Sequence, residues 1–274
     1  MTQFDNGSAG TAGSGEPKTR LSSVTTAIRL LKAFSENDRE IGISALSKKL
    51  SVSKSTVHRV ATTLVAEGLL EQNPETDRYR LGLALFSLGT LVRMRMDIPN
   101  EAKPFLMKLR EMTKENIHLA VLQGIEVVYV YDLESTQAVR LKPHLGNSKP
   151  LFCSAEGLSI LAWQPEVFVD RALAGPLEPR TDNTMTNPMK IRERLAGIRK
   201  NGYAIENEES EIGMRCIAAP IRDADGVVVA AVGLAGPSQR LSTHSVANFA
   251  PHVKDAADSI SMRLGYRIGA RSYA

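Results

Sequence analysis

Cysteine is scarce in this chain, which has two cysteines, Cys153 and Cys216, among its 274 residues. Two cysteines are too few for a disulfide framework, so we expect a protein of a reducing compartment. The sequence also lacks an apolar run of about 18 residues, and its polar first segment contains no signal-peptide core. Together these absences predict a soluble, cytoplasmic protein with no membrane partner.

The short Cys and His spacings that are typical of metal sites are absent too. Because neither cysteine has a histidine close to it in the sequence, we predict no metal and no cofactor. A nucleophilic cysteine needs a nearby base, and no motif pairs either cysteine with a histidine. Two buried, inert thiols are therefore the simplest interpretation, and we predict that the protein is not an enzyme. A Cys-dependent enzyme remains the weaker alternative.

Net positive charge is confined to the first third of the chain. Residues 1–95 carry 13 Lys and Arg against 9 Asp and Glu, whereas residues 96–274 carry 21 of each. So small an excess can arise by chance. It also fits a basic module that faces a polyanion, joined to a neutral module with another task.

The first third of the sequence predicts three short helices followed by a hairpin. Residues 1–20 are rich in Gly, Ser, Thr and Ala and predict a flexible tail. Ser22 or Ser23 is expected to cap the first helix, Ser44 the second, and a third helix is expected to begin near Ser53. Extended runs at Leu70 to Gln72 and Tyr79 to Leu81 flank a turn. Residues 21–82 therefore predict a winged helix-turn-helix DNA-binding domain.

The third predicted helix has one apolar and one polar face. When Val57, Val60, Ala61 and Leu64 point inward, Ser55, Arg59 and Thr62 point outward, with His58 at the edge. Small hydroxyl groups allow a close approach to DNA, and arginine can hydrogen-bond to a guanine edge or a phosphate. The predicted DNA-binding residues are Lys48, Lys49, Ser53, Lys54, Ser55, His58, Arg59, Thr62, Arg78 and Arg80.

The remaining sequence predicts a linker and a mixed domain. Residues 83–98 form a strongly apolar helix that needs a partner helix, and Pro99 is expected to end it. Residues 99–268 predict helices and strands in the order α-β-β-α-α-β-β-α, an α+β domain with a mostly antiparallel sheet.

Three ordered motifs resemble the IclR family of bacterial transcription regulators. They are GISALSKKLSVSKSTVHRV, NSKPLFCSAEGLSILAW and GYAIENEESEIGMRCIAAPIRDADG, and the similarity runs over residues 24–265. The resemblance implies a GAF-like effector domain, a homodimer or a dimer of dimers, and a near-palindromic operator in double-stranded DNA. Its members include repressors and activators, and we expect a repressor, with an activator of a catabolic operon as the alternative.

The resemblance also implies a small organic acid effector. In similar proteins its carboxylate meets backbone amides at a helix start, and the residues implied here are Ala155, Glu156, Glu206, Met214, Cys216, Gly233 and Ala235. Gly233 and Ala235 replace the serines of some relatives, Phe152 a frequent His and Leu158 a frequent Lys. These departures favour a roomier, less polar pocket and a larger acid, such as an aromatic carboxylate or a catabolic intermediate. A domain that only oligomerises remains an alternative, which a dry, fully packed interior would favour.

Overall fold

A computed structural model describes residues 23–35, 37–94, 97–139, 141 and 143–267 of the chain. The chain divides into two compact units, Met1–Arg95 and Met96–Ala274. The predicted tail and Ser22 lie outside the described residues. The domain limits inferred from the sequence remain predictions.

The first unit has the predicted order of three helices, a hairpin and a fourth helix. The helices of its core are short, and the recognition helix predicted above is the third. Its elements are α1 (Ser23–Leu31), α2 (Ile43–Leu50), α3 (Lys54–Ala66), β1 (Leu70–Gln72), β2 (Tyr79–Leu81) and α4 (Leu83–Met94).

Helix caps and a tight turn fix the geometry between α2 and α3. Ser51 adopts a left-handed conformation with φ of 56°, which ends α2. Ser53 caps α3 as predicted, because its hydroxyl accepts a hydrogen bond from the amide of Thr56 at 3.2 Å. The expected cap at Ser44 is wrong: α2 begins at Ile43, two residues earlier than that cap implies, its N-cap is Gly42, and no side chain caps it.

The hairpin matches the predicted strands. β1 and β2 pair antiparallel, with Leu70 opposite Leu81 and Gln72 opposite Tyr79. Leu70 and Tyr79 are buried with Leu30, Leu46 and Val57 in one apolar cluster, so the wing is packed onto the helices. Tyr79 also exchanges backbone hydrogen bonds with Ile41, which extends the pairing to the segment before α2.

The second unit is an α+β domain built on one six-stranded sheet. All neighbouring strands are antiparallel, in the order β5-β4-β3-β8-β7-β6. Its helices are α5 (Asp97–Thr113), α6 (Ala155–Leu161), α7 (Glu166–Leu173), α8 (Pro188–Asn201) and α9 (Thr243–Arg263). Its strands are β3 (Asn116–Gln123), β4 (Glu126–Leu133), β5 (Ser148–Pro150), β6 (Ala204–Asn207), β7 (Met214–Arg222) and β8 (Val228–Pro237).

The α+β class is confirmed, and three short elements were missed. The sequence analysis did not predict β5, β6 and α7, which have three, four and eight residues. The expectation that Pro99 ends the linker helix is wrong, because Pro99 lies in the first turn of α5. A proline is tolerated there since its missing N–H would have no intrahelical partner.

Helices cover both faces of the large sheet. Apolar residues of α5 and α9 pack with Ile117 and Leu119 on one face. Residues of α6, α7 and α8 pack with Ala120 and Tyr129 on the other. Because side chains alternate along a strand, His118 lies on the α6 side between Ile117 and Leu119. No helix in the described ranges combines the length and the apolar character needed to cross a bilayer.

Candidate functional site

The outer face of α3 has the orientation that the sequence predicted. Val57, Val60, Ala61 and Leu64 are buried. Polar side chains occupy the other side of the helix and are exposed; among them are Ser53, Lys54, Ser55, His58, Arg59 and Thr62. This face therefore presents hydroxyl, imidazole, ammonium and guanidinium groups to the solvent.

The polar side chains of this face differ in how far they are already engaged. The Thr62 hydroxyl donates to the backbone carbonyl of His58 at 2.9 Å, which holds that side chain against the helix. Within the described part of the chain no hydrogen bond or ion pair engages the Arg59 guanidinium. Arg59 is therefore available to a base edge or a phosphate.

The cations around α3 fall into two groups. Lys48, Lys54 and Arg78 are exposed. Lys49 instead lies 2.6 Å from the carboxylate of Asp38. Arg80 lies 2.8 Å from the carboxylate of Glu71. Exposed ion pairs of this kind contribute little to stability, so both cations can exchange the carboxylate for a phosphate. Without DNA, the charge of each cation is balanced by its carboxylate.

Polar side chains from five strands and one helix surround a small hollow in the second unit. The hollow is too narrow to admit a water-sized sphere. It contains six of the seven residues that the resemblance implied for an effector, all except Gly233. Its lining residues are His118, Tyr129, Lys149, Ser154, Ala155, Glu156, Glu206, Ser210, Met214, Cys216 and Ala235.

Strand register brings together residues that are far apart in sequence. His118 pairs with Gly233, and Gly233 pairs with Ala218 on the next strand. In the adjacent row, Cys216 lies between Ala235 and Glu206. His118 and Cys216 therefore project from the same sheet face, although 98 positions separate them in the chain.

Gly233 lies outside the lining of the hollow, and its role at an effector stays a prediction. A Cβ atom on Gly233 would lie 2.0 Å from Oε1 of Glu156. The space above this glycine is therefore filled by the Glu156 carboxylate, and it does not enlarge an effector pocket. Phe152 and Leu158 also pack in the apolar cluster of α6, α7 and α8 and not around the hollow. The structural basis for expecting a roomier, more apolar pocket is thus absent.

Glu156 places a fully buried carboxylate at the centre of the hollow. Tyr129 donates a hydrogen bond from its hydroxyl to Oε2 at 3.1 Å, and Cys216 donates from its thiol to Oε1 at 3.4 Å. Burial alone would raise the pKa of Glu156, but the adjacent His118, the backbone amide of Glu156 itself and Lys149 lower it to about 2. The helix-start amides expected to hold an effector carboxylate are therefore close to an anion of the protein itself.

Glu206 is a second buried carboxyl group, with a different environment. Its Oε1 accepts the backbone amides of Glu209 and Ser210 at 2.5 and 2.9 Å, while Oε2 has no hydrogen-bond partner among the described residues. Burial raises the pKa of Glu206 to about 7, against the two amides and Lys149. Near neutral pH this group can donate or accept a hydrogen bond.

The acidic loop after β6 is held by two carboxylates, Glu209 and Glu206. Glu209 binds Arg194 through both carboxylate oxygens, at 2.7 and 2.8 Å, and accepts one longer hydrogen bond from the Asn207 amide. Glu206 accepts two backbone amides of the loop and also lines the hollow, so this one side chain connects the loop to the hollow.

The two cysteines occupy separate environments. Cys153 packs in the cluster of α6, α7 and α8, and burial raises its pKa to about 11. Cys216 lines the hollow, where burial, followed by Glu156 and Glu206, raises its pKa well above the ordinary value. His118 lies near Cys216, a pairing that no sequence motif indicated, but an elevated thiol pKa is the opposite of what a cysteine nucleophile needs.

Five lining residues were missed by the sequence analysis: His118, Tyr129, Lys149, Ser154 and Ser210. Alternation along β3 and β4 could have placed His118 and Tyr129 on a common face. No local pattern predicts Lys149 or Ser210, because they reach the hollow from a three-residue strand and a loop.

A winged helix-turn-helix unit followed by an α+β unit with a narrow polar hollow is the architecture of a transcription regulator that combines DNA binding and ligand response in one chain. Comparison with known proteins gives the family. Residues 23–74 match the IclR helix-turn-helix domain, and residues 90–262 match the bacterial transcriptional regulator IclR C-terminal domain. The chain belongs to the IclR family and is a DNA-binding transcription regulator.

Several relatives are similar over nearly their full length. The chain is 35% identical to the transcriptional regulator KdgR of Escherichia coli over 90% of this chain and 94% of the relative. The crystal structure of Thermotoga maritima IclR is 31% identical, with a TM-score of 0.71 over 90% of this chain and all of that one. An IclR homologue from Microbacterium hydrocarbonoxydans, solved with 4-hydroxybenzoate, is 28% identical with a TM-score of 0.76, over 89% and 99%.

Proposed function

We propose that this regulator represses transcription by binding a near-palindromic operator, and that a small organic acid in the hollow controls the binding. A homodimer or a dimer of dimers would present two copies of α3 to the two half-sites. Because its target is bacterial DNA, the protein would work in the cytoplasm.

The exposed face of α3 supports DNA recognition. The exposed Arg59 guanidinium has no partner among the residues that the structure describes, and Ser55 and Thr62 are small enough to let the helix enter the major groove. Lys54 at the first turn and Arg78 in the wing are placed to meet phosphates.

An apolar stripe on α4 supports self-association. Four of its large apolar side chains are more than half exposed: Leu83, Phe86, Leu88 and Leu91. A stripe of this kind on a 12-residue helix is unfavourable in water and would be buried against the same helix of a second copy.

The observation that best supports acid binding is the pair Glu206 and Lys149. Oε2 of Glu206 is buried without a partner in the hollow, and Lys149 is the one lysine or arginine among the lining residues. A protonated Glu206 can donate a hydrogen bond to a carboxylate, and Lys149 can neutralise its charge. The structure of an IclR homologue solved with 4-hydroxybenzoate, a small aromatic acid, supports an acid as the ligand of this chain.

The narrowness of the hollow supplies a mechanism for control. An acid cannot enter the arrangement described here, so binding requires another arrangement of the surrounding strands and loop. A ligand that binds one arrangement better shifts the population toward it, and DNA affinity follows if the two arrangements place the α3 helices differently.

The decisive experiment is a fluorescence anisotropy titration of the full chain against DNA from upstream of its own gene, at fixed salt. Each titration is repeated with small aliphatic acids and with aromatic acids that include 4-hydroxybenzoate. We expect tight, sequence-specific binding that one class of acid weakens. Weak binding without site preference would overturn the DNA proposal, and specific binding that no acid alters would overturn the acid proposal.

A matched pair of variants locates the acid. Lys149→Met should leave DNA binding intact and reduce the acid response, whereas Lys190→Met removes the same charge from an exposed position of α8 and should change neither. An equal acid response in both variants would contradict a site in the hollow.

A further inference from the structure

The wing of the first unit is a small hairpin whose position depends on contacts outside the hairpin. Its strands β1 and β2 have three residues each. A hairpin of this size is only marginally stable in water, so contacts with other elements must hold it in place. The buried side chains of Leu70 and Tyr79 and the backbone pairing of Tyr79 with Ile41 hold its base. The tip, residues 73–78, extends beyond these contacts.

Asn73 organises the tip of the wing. Its backbone N–H donates to the carbonyl of Arg78 at 2.8 Å, and its Oδ1 accepts the amide of Glu75 at 2.9 Å. Asp77 donates from its amide to the carbonyl of Asn73 at 2.9 Å and has a left-handed backbone with φ of 54°, which aspartate tolerates. Asn73 therefore determines the course of the chain that leads to Arg78.

A carboxylate from outside the wing holds Asn73. The side-chain Nδ2 of Asn73 donates to both carboxylate oxygens of Glu40, at 3.3 Å each, although 33 positions separate the two residues. Arg80 lies 3.9 Å from Glu40 and 2.8 Å from Glu71, so its charge balances the acids on this side of the wing. Hydrogen bonds to an ionised acceptor are stronger than those between neutral groups. The Glu40 contact therefore ties the tip to the segment that leads into α2.

The tip of the wing places Arg78 beside the recognition helix. A Cβ atom on Gly42, at the start of α2, would lie 3.9 Å from Cγ of Arg78. Arg78 also shares a cleft with Ser44 of α2 and His58 of α3. Within the described ranges no hydrogen bond or ion pair engages the exposed guanidinium of Arg78, so it is available to a phosphate.

We propose that Glu40 is a positioning residue for DNA binding: its carboxylate holds Asn73, and the wing thereby presents Arg78 to a phosphate next to α3. The last step rests on the proposed function, which assigns Arg78 to a phosphate. DNA is a polyanion, so the removal of an acid close to it strengthens binding where charge alone matters. Loss of Glu40 should instead weaken binding, because Arg78 is then no longer held in place.

The first test needs no DNA and follows hydrogen–deuterium exchange in the full chain. Glu40→Ala should speed exchange in the wing peptide, residues 73–78, and leave exchange in α3 unchanged. Glu40→Gln keeps a side-chain oxygen that can accept from Asn73, so it should exchange like the unmodified chain. Glu75→Ala is the matched control, because it removes the same acidic side chain from an exposed position of the same tip and should also exchange like the unmodified chain.

The second test measures affinity for a DNA duplex by fluorescence anisotropy at fixed salt. Glu40→Ala should weaken binding about 2–10-fold, the effect of losing one hydrogen bond, and Glu40→Gln should restore it. Glu75→Ala should leave binding unchanged or strengthen it. In an Arg78→Ala background Glu40→Ala should have little further effect, because Glu40 acts through Arg78.

Four results would overturn the proposal. Two concern exchange: an unchanged wing peptide in Glu40→Ala, or faster exchange in α3 as well, which would indicate a general loss of stability. Two concern DNA: tighter binding by Glu40→Ala, or the same loss with and without the Arg78 side chain. Because exchange is measured without DNA, it decides whether Glu40 holds the wing even if the proposed repressor function fails.

Discussion

The two units of this regulator place their functional polar side chains differently: the first unit exposes them to solvent, and the second unit buries them. In the first unit Arg59, Lys54 and Ser55 are exposed around an apolar core. In the second unit His118, Glu156 and Glu206 are buried beneath a helix. Exposed polar groups cost little because water solvates them, whereas buried ones must be satisfied by neighbours or by a ligand. The outer face is therefore ready to bind, and the hollow must first change.

If the polar groups of the first unit are solvated, the stability of that unit comes from its apolar core. Leu46→Ala tests this and has the largest expected effect. Leu46 is fully buried among the helices of the first unit. Its truncation should lower the free energy of unfolding by about 2–5 kcal/mol, through lost apolar burial and a cavity. Denaturant unfolding monitored by circular dichroism gives the value.

Val24→Ala is the matched control for Leu46→Ala, because Val24 is 68% exposed on α1. Its effect should stay within about 0.5 kcal/mol. The fluorescence of Trp163, which is the one tryptophan of the sequence and lies in the second unit, should stay native-like in Leu46→Ala at temperatures where DNA binding is lost. Simultaneous loss of both would show that the two units unfold together.

Buried charge makes the second unit sensitive to pH, and Glu206→Gln measures that sensitivity. Burial raises the pKa of Glu206 to about 7 in the folded chain, above its ordinary value. The raised pKa means that the protonated carboxyl contributes stability at low pH, and this contribution is lost as the pH rises through about 7. The free energy of unfolding falls by at most about 3 kcal/mol, because each unit of difference between the folded and ordinary pKa values is worth about 1.4 kcal/mol.

Glu206→Gln should therefore gain stability relative to the unmodified chain between about pH 5 and pH 8.5, measured by denaturant unfolding in metal-free buffer. The titratable groups facing Glu206 are Lys149 from β5, Glu209 from the loop, and Glu156 and Cys216 across the hollow. Glu193→Gln, at an exposed position of α8, is the control and should follow the unmodified chain. If the free energy of unfolding changed with pH in the same way in all three proteins, the pKa of Glu206 would not be raised.

The contrast between the units also explains what the sequence could predict. In the first unit local periodicity was sufficient, because the stripe from Val57 to Leu64 determines both the buried and the exposed faces of α3. The strands of the hairpin were predicted from their flanking turn residues. The cap at Gly42 was missed because a glycine cap uses backbone conformation and leaves no side-chain pattern.

In the second unit the hollow depends on strand register, which local patterns do not encode. His118 and Cys216 meet because β8 lies between their strands and aligns Gly233 with His118. The family resemblance located Glu206 and Cys216 but not the carboxylate of Glu156, which enters the space that the missing side chain of Gly233 leaves. Long-range pairing and the filling of space thus account for what sequence analysis missed.

Gly233→Ala tests whether that space is essential to the hollow. The new Cβ would lie 2.0 Å from Oε1 of Glu156, so the carboxylate must move and its contacts must change. We expect a loss of stability of about 1–3 kcal/mol, as for other overpacked cores. Gly197→Ala on α8 is the control: its Cβ meets nothing within 4 Å, and a helical Gly→Ala change at such a site should stabilise by about 0.4–1 kcal/mol.

A double-mutant cycle identifies the cause of the effect at Gly233. In a Glu156→Ala background the obstructing side chain is absent, so Gly233→Ala should cost much less than in the unmodified chain. An equal cost in both backgrounds would mean that the glycine is needed for its backbone and not for the space above it.

The exposed face of α3 is best tested by a change that leaves folding untouched. Arg59→Ala removes a side chain without intramolecular partners in the described ranges, so unfolding free energy should change by no more than about 0.5 kcal/mol. Binding to the operator should weaken by about 1–3 kcal/mol, with relaxed preference at one base pair, if Arg59 contacts a base edge.

Lys54→Ala provides the contrast, since a lysine at the first turn of α3 is placed to meet a phosphate. Its loss should weaken binding equally for all DNA sequences and reduce the salt dependence by about one phosphate contact. Anisotropy titrations against the operator and single-base variants at two salt concentrations distinguish the two patterns. If Arg59→Ala also weakened all sequences equally, Arg59 would be a phosphate contact, and base recognition would fall to the shorter side chains of the same face, such as Ser55.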